Sequence, residues 1–344
     1  MDYVENARRK VKKYAKWIPV KKWRHNFRNT LFSALEQSKT QMQSAQNDIL
    51  EQYSTLTTPS NDRAIKKQLF KQNVRLVEIE IASFCNRKCW FCPNSFIDRK
   101  SKSVELPESV YLKLIDNLAE VDYSGLLDFH RFNEPLANKD LILKRVKQAR
   151  IALPHAQLGI FTNGDYLDRQ YLDALREAGI TLMIMSYYFD KNAEFDLDSI
   201  KMAMDKKVRD LGLDYKITRN DMERYELNLR YEGIYIIYQC WNPRIVGGNR
   251  AGSITDSRIT QKKRDFPCYY PLREVFIDYN GLVMPCCNMR SDVDAHKDFI
   301  LGDAKDSDLF ELFMNDKFIQ MRKDLMASKP KYAPCEYCLY KPMI

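Results

Sequence analysis

Three cysteines, Cys85, Cys89 and Cys92, stand in the run Cys-Asn-Arg-Lys-Cys-Trp-Phe-Cys-Pro, a C-x3-C-x2-C spacing. Three thiolates on one short loop can hold three corners of a cubic [4Fe–4S] cluster. They leave the fourth iron open, and an open position is what lets a metal bind a cofactor or substrate directly. The alternatives are packing cysteines or a zinc knuckle, although structural zinc normally takes four ligands arranged as C-x2-C pairs. A second group lies near the other end of the chain. Cys268 is followed by seventeen residues and Cys286, and Cys335-Glu-Tyr-Cys338 comes after a further interval. These four thiolates can close a second site, for a cluster or for zinc. Asp278-Tyr-Asn-Gly281 between them reads as a hairpin turn of type I′. Two cysteines remain, Cys240 and Cys287. A thiol S–H is a good hydrogen-atom donor to a carbon radical, and both are catalytic candidates on that ground. Packing is the commoner fate of a free cysteine.

The first loop resembles that of the radical S-adenosylmethionine (radical SAM) superfamily. The resemblance implies that the open iron chelates the methionine part of the cofactor, whose cleavage yields a 5′-deoxyadenosyl radical. Phe91, just before Cys92, would then lie beside the adenine. Arg131-Phe-Asn-Glu-Pro135 falls where family members usually carry Gly-Gly-Glu-Pro. Glu134 would accept a charge-assisted hydrogen bond from the cofactor ammonium, and Asn133 would join it. The departure is Phe132-Asn133 in place of two glycines, which puts side chains where the family leaves the backbone bare. Phe161-Thr-Asn-Gly164 resembles the family's Thr-Asn-Gly, so Thr162 and Asn163 are expected at the ribose or carboxylate. Ser186, at the end of the next strand-like run, is a further cofactor candidate. His130 is either a substrate contact or a rim residue.

The tail resembles the opening of a SPASM domain in its shortened twitch form. Only Leu339–Ile344 follow Cys338, so one auxiliary [4Fe–4S] cluster is expected, held by Cys268, Cys286, Cys335 and Cys338. Asn249-Arg-Ala-Gly252 resembles the joint that precedes such tails.

Positioning these residues needs a scaffold, and the pattern supplies one. Strand-like runs at Arg75–Ala82, Gly125–His130, Gln157–Thr162, Thr181–Ser186 and Gly233–Gln239 alternate with helical segments at Glu108–Glu120, Lys139–Ala152, Asp168–Ala178 and Asp198–Asp210. This is the signature of a parallel α/β fold, whose sites lie at the carboxyl ends of the strands. With the resemblance, the expected fold is a partial (β/α)6 radical SAM barrel at 71–250. A helical N-terminal extension occupies 1–70, and a small twitch domain of hairpin plus helix occupies 251–344. Cys240, ending the last barrel run, is expected at the barrel mouth.

Of 344 residues, 45% are hydrophobic and 29% charged, a soluble composition without a run of about 18 apolar residues. The first thirty residues have no apolar signal-peptide core, and clustered cysteines fit metal ligation in a reducing compartment. A cytoplasmic enzyme is expected. The net charge of +9 is concentrated in residues 1–30, which hold ten Lys or Arg against Asp2 and Glu5. That argues against nucleic-acid binding. Trp17, Pro19 and Trp23 among lysines suggest a packing or partner contact, or a peripheral membrane contact.

The expected function is hydrogen abstraction from a carbohydrate-like or aminocyclitol substrate, giving oxidation or epimerisation, with a reductant such as flavodoxin or ferredoxin. The rivals are a maturase of a ribosomal peptide and a zinc-binding adaptor with no enzymatic role.

Overall fold

The computed structural model describes residues 10–15, 17, 21, 23, 25–35, 37, 51, 53–189, 193–256, 263–264, 266–327 and 330–338. The chain divides into two compact units, 1–55 and 56–344. In the first, Trp17 and Trp23 are exposed, at 84% and 66%. Ile18, Pro19 and Val20, on which a surface contact also rests, lie outside the described residues, as does most of the expected helix beyond residue 37. Helix α1 (Arg63–Asn73), capped by the Asp62 carboxylate on Ala64 N–H, belongs to the second unit.

The second unit is built on one ten-stranded sheet. Its strands are β1 (Leu76–Ile79), β2 (Leu126–Asp128), β3 (Gln157–Thr162), β4 (Leu182–Ser186), β5 (Tyr215–Asn220), β6 (Arg224–Tyr231), β7 (Ile234–Trp241), β8 (Glu274–Ile277), β9 (Leu282–Met284) and β10 (Gly302–Asp303). Their order is β10-β9-β8-β1-β2-β3-β4-β7-β6-β5. The run β8-β1-β2-β3-β4-β7 is parallel throughout. The region 71–250 thus supplies five parallel strands, and the sixth, β8, comes from the tail. The domain division at residue 250 follows sequence character, whereas the backbone ladder runs across it.

Helices α2 (Glu108–Glu120), α3 (Lys139–Ala152), α4 (Arg169–Ala178) and α5 (Leu197–Asp210) fall where periodicity predicts them. Asn138, Asp168 and Asp196 cap α3, α4 and α5 by accepting from first-turn N–H groups, which relieves donors that the helix itself leaves unpaired. Two strands escaped the periodic reading. β5 and β6 form an antiparallel meander with β7, in a stretch to which the strand–helix alternation assigns no element. The signal was present in the alternation of Tyr225, Leu227, Leu229 and Tyr231, all buried, a period of two. Glu232 and Gly233, both at positive φ, close the β6–β7 hairpin in two residues, as a type I′ turn requires.

The β8–β9 turn differs from its expectation. Gly281 N–H bonds to Asp278 C=O, and of the turn residues Gly281 is at positive φ while Asn280 is not. A type I′ turn needs both central residues there, so this is a longer loop with glycine at its left-handed position. The tail then adds α6 (Leu309–Phe313) and α7 (Asp316–Met326) before the final cysteine pair.

Exposure alternates along the strands. On β7, Ile234, Ile236, Tyr238 and Cys240 are buried, while Tyr235, Ile237, Gln239 and Trp241 are partly exposed. The partly exposed set marks the inner face, because its members meet the cysteine loop and the strand-end motifs. Trp241 packs on Phe91, Gln239 reaches Ser186 Oγ, and on neighbouring strands His130 stacks over Phe161.

Candidate active site and auxiliary cluster site

The strand β1 leads into the loop that carries Cys85, Cys89 and Cys92. The loop is pinned at both ends. Cys85 N–H donates to Arg99 C=O at 3.1 Å, and Cys92 N–H to Cys89 C=O at 2.9 Å. The Arg99 guanidinium, almost wholly buried, donates to Glu80 at 3.1 Å and to Ser83 C=O at 2.9 Å. Glu80 also accepts the Phe132 N–H at 3.1 Å, and Asn94 Nδ2 donates to Phe132 C=O at 2.8 Å. The backbone edge that two glycines would leave open is therefore engaged by Glu80 and Asn94.

Glu134 draws the strand-end motifs together. Its carboxylate accepts from Leu136 N–H at 3.0 Å, Thr162 Oγ1 at 2.6 Å and Asn163 N–H at 2.8 Å. Two of these three fall on Oε1, so Oε2 keeps room for a further donor. Burial pushes the Glu134 carboxyl up to about 7, against the pull of those hydrogen bonds. Asn163 continues the chain of contacts. Its amide donates to Asn86 Oδ1 at 2.8 Å, and Asn86 in turn donates to Asp165 at 2.7 Å. Gly164, at φ +73°, turns the backbone here. The cysteine loop, the Asn-Glu-Pro turn and the Thr-Asn-Gly turn thus form one hydrogen-bonded unit.

Phe91 sits in an aromatic cluster with Trp90, Tyr188 and Trp241, its ring 4.7 Å from that of Trp241 and 5.3 Å from that of Tyr188. A cavity of about 700 Å³ opens beside Cys89 and Phe91, bounded by Arg87, Tyr188 and the start of α5. Ser186 is buried on the inner face. Asn133 accepts Arg131 N–H at 3.0 Å through its own Oδ1, which makes it a turn-forming residue in this structure.

The four tail cysteines also meet. Cys268, Cys286, Cys335 and Cys338 line one small enclosed cavity with Tyr270, Met289 and Leu325. Burial pushes the Cys268 thiol up to about 11 and Cys335 up to about 12, and raises Cys286 well above its ordinary value. Burial likewise pushes Cys85 up to about 11 and Cys89 up to about 12. Thiols gathered in so apolar a setting become thiolates only against a metal's charge, so both donor sets fit iron–sulfur ligation. Among the described residues, no three His, Cys, Asp or Glu side chains could hold a single metal ion.

The spare cysteines part company. Cys240 is 0% exposed and lies on the face of β7 opposite Gln239 and Trp241. It does not face the barrel mouth, and strand alternation is the reason. Cys287 lies within the electrostatic reach of Glu78, Glu274 and Arg250, so it sits beside the inner face.

Sequence reasoning passed over several residues that hold the two sites together. Arg131 donates to Cys286 C=O at 3.0 Å and Met289 C=O at 2.8 Å, and pairs with Asp278. Arg290 donates to Asn94 Oδ1 at 2.6 Å and forms two bonds of 2.7 Å with Asp292, which also pairs with Arg99. The available signal was charge inside apolar runs, as with Glu78 and Glu80 in Val74–Ala82.

The joint before the tail is strained. Arg250, Ala251 and Gly252 are successive residues at positive φ, a costly conformation for the first two. His296, fully buried, holds it. Its Nδ1 accepts Arg290 N–H at 3.1 Å, which leaves Nε2–H to donate to Ala251 C=O at 2.8 Å.

The sequence pattern of the radical SAM superfamily matches residues 79–195, and that of an iron–sulfur cluster-binding domain, SPASM, matches residues 268–339. Residues 79–195 thus form a radical SAM domain, followed at 268–339 by an iron–sulfur cluster-binding SPASM domain. It uses [4Fe–4S] clusters and S-adenosylmethionine. A similar protein is the S-adenosyl-L-methionine-dependent 2-deoxy-scyllo-inosamine dehydrogenase of Niallia circulans. The two are 27% identical over 264 residues, 76% of this chain and 92% of that one. Among solved structures, BtrN in complex with AdoMet and 2-DOIA superposes with a TM-score of 0.54 at 24% identity, over 74% of this chain and 88% of BtrN. An open conformation of BtrN gives 0.52 at 23%, over 78% and 92%. These superpositions establish the shared fold, the partial barrel with its C-terminal cluster domain. The two domain matches support the enzyme reading over the zinc adaptor.

Proposed function

We propose that the protein is a radical SAM dehydrogenase that oxidises a secondary alcohol of an aminocyclitol or related sugar-like compound. The observation that carries this reading is the second cysteine site. Four cysteines that close a cluster completely leave no iron for substrate, and the remaining use of such a cluster is electron transfer. The similarity to an aminocyclitol dehydrogenase, spanning nearly all of that enzyme, points the same way.

In this reading Cys85, Cys89 and Cys92 hold the cofactor-binding cluster, and Cys268, Cys286, Cys335 and Cys338 the auxiliary one. The clusters and S-adenosylmethionine supply radical formation and the removal of the second electron. The chain supplies the positions. Phe91 offers the adenine an aromatic edge, with Trp241 and Tyr188 fixing its angle. Glu134 Oε2 is the acceptor for the cofactor ammonium. Thr162, Asn163, Asn133 and Ser186 shape the wall around it, more by holding the backbone than by free side-chain donors. In sum the carbinol would give up two hydrogens and become a ketone, the C–H hydrogen leaving to the cofactor's deoxyadenosyl group, the remaining electron to the auxiliary cluster and the hydroxyl proton to solvent.

Epimerisation is the second reading, and Cys287 is its candidate donor, since Cys240 faces away. No helix among the described residues is long and apolar enough to cross a membrane. We place the enzyme in the cytoplasm, served by a flavodoxin- or ferredoxin-type reductant. A partner or peripheral membrane contact through residues 1–30 belongs to the same proposal.

The test is turnover by anaerobically reconstituted, reduced enzyme in D2O, offering 2-deoxy-scyllo-inosamine, nucleotide sugars and peptides. A product lighter by two hydrogens, with one 5′-deoxyadenosine formed per product, is expected. A product of unchanged formula carrying one deuterium would move the assignment to epimerisation. Activity confined to peptides would overturn it.

A further inference from the structure

The inner face of the sheet is uneven. On β3, β4 and β7 it presents Phe161, Ile184 and Ile237, all partly exposed. On β8, β1 and β2 it presents carboxylates: Glu274, Glu78 and Asp128. Glu78 and Asp128 are direct register partners on adjacent parallel strands, so their side chains stand side by side.

Asp128 is 0% exposed. Its Oδ1 accepts the His130 N–H at 2.8 Å, while Oδ2 has no partner. That second oxygen is 3.2 Å from where a Cβ on Gly159 would stand, on the neighbouring strand. It therefore points along the inner face and away from the helix layer. A buried carboxylate oxygen without a donor is costly. The nearby cations are engaged elsewhere: Arg131 pairs with Asp278 and stands 3.9 Å from Glu78, and Arg250 donates to Asn288 Oδ1 at 3.3 Å. His130 brings no charge, because burial drops it to about 3. Burial pushes Glu78 up to about 7 against the pull of Arg131, and burial with repulsion from Glu78 pushes Glu274 up to about 8 and raises Asp128 well above its ordinary value. Glu78 thus has the Arg131 guanidinium at 3.9 Å, whereas Asp128 Oδ2 meets no donor.

We propose that Glu78 and Asp128 form the recognition site for a cationic amino group on the substrate, so that the enzyme selects a small polyhydroxylated amine over its all-hydroxyl counterpart. An ammonium supplies three donors, one of which meets Asp128 Oδ2. The apolar residues on the far strands face the carbon skeleton. The inference rests on the dehydrogenase reading and names its substrate class.

The experiment measures binding to the reconstituted holoenzyme with S-adenosylmethionine present, by anaerobic calorimetry. The probes are 2-deoxy-scyllo-inosamine and the compound in which a hydroxyl replaces its amino group. The amine is expected to bind about tenfold tighter or better, the value of one or two charge-assisted hydrogen bonds. Asp128→Asn is expected to abolish that preference and Glu78→Gln to reduce it, with melting temperature and circular dichroism as controls for folding. If Asp128→Asn fails to fold, Glu78→Gln carries the test alone. Equal affinity for the two compounds, or a preference that survives both substitutions, overturns the ammonium site. Equal turnover of the two would spare the dehydrogenase reading while sinking the site. Binding of neither would sink both.

Discussion

At the scale of single residues, the two cysteine sets make separable demands. Replacing Cys335 with alanine is expected to lower bound iron from about eight to about four per chain. 5′-Deoxyadenosine formation should persist while ketone formation stops, which iron analysis and product assay would read together. Cys89→Ala should abolish both. Arg131 is a different kind of residue. It puts a guanidinium against the carbonyl of a proposed cluster ligand, Cys286, at 3.0 Å. Arg131→Met is expected to shift the auxiliary cluster's reduction potential to lower values, with partial rescue in Arg131→Lys, as followed by redox-titrated electron paramagnetic resonance. Glu274 sets a stability prediction. Burial pushes its carboxyl from an ordinary 4.5 up to about 8, so the folded protein holds a proton that the unfolded chain gives up. Stability from this group is present below about 4.5 and is lost as pH rises towards 8. Glu274→Gln should match the wild type in melting temperature at low pH and exceed it above pH 8.

Among the elements, the cysteine loop and the tail are joined by a polar interface centred on Asp292. Arg99 and Arg290, both almost wholly buried, share that carboxylate. Removing it with Asp292→Ala leaves two buried cations short of a partner, and a cost of about 3–5 kcal/mol is expected, measurable as a lower denaturation midpoint. How far such features can be read in advance depends on distance along the chain. The four main helices were legible because their apolar spacing is local and their caps adjoin them. The cysteines were legible because ligand spacing within a loop is local too. The arginines that weld the sites were not, since Arg290 and Asn94 are 196 residues apart and nothing in either segment names the other. Cys240 shows the complementary failure. Its place at a strand end suggested the mouth, but the pleat decides the face, and one residue of register separates it from Gln239.

For the second unit as a whole, the tail is a structural part of the barrel. β8 lies parallel against β1 through four register pairs, on the side opposite β2. A fragment ending at residue 250 would leave that edge of β1 unpaired and lose the cover of Phe276 and Leu272, both fully buried. Such a fragment of residues 56–250 is expected to aggregate or to melt without cooperativity, whereas residues 56–344 should melt in a single transition by circular dichroism. Sequence character alone put a boundary at 250 because composition and cysteine content change there. Hydrogen bonding between strands 200 residues apart is invisible to such a reading.

The ladder from β1 to β8 also works as a gauge. Cys85 to Cys92 follow β1, and Cys286 follows the hairpin that β8 begins, so backbone hydrogen bonds set the gap between the two metal-binding regions before any substrate arrives. The two regions therefore share one backbone ladder, whose four β1–β8 register pairs join them directly. The spacing of the two cysteine regions is therefore a property of strand register as well as of the side chains around them.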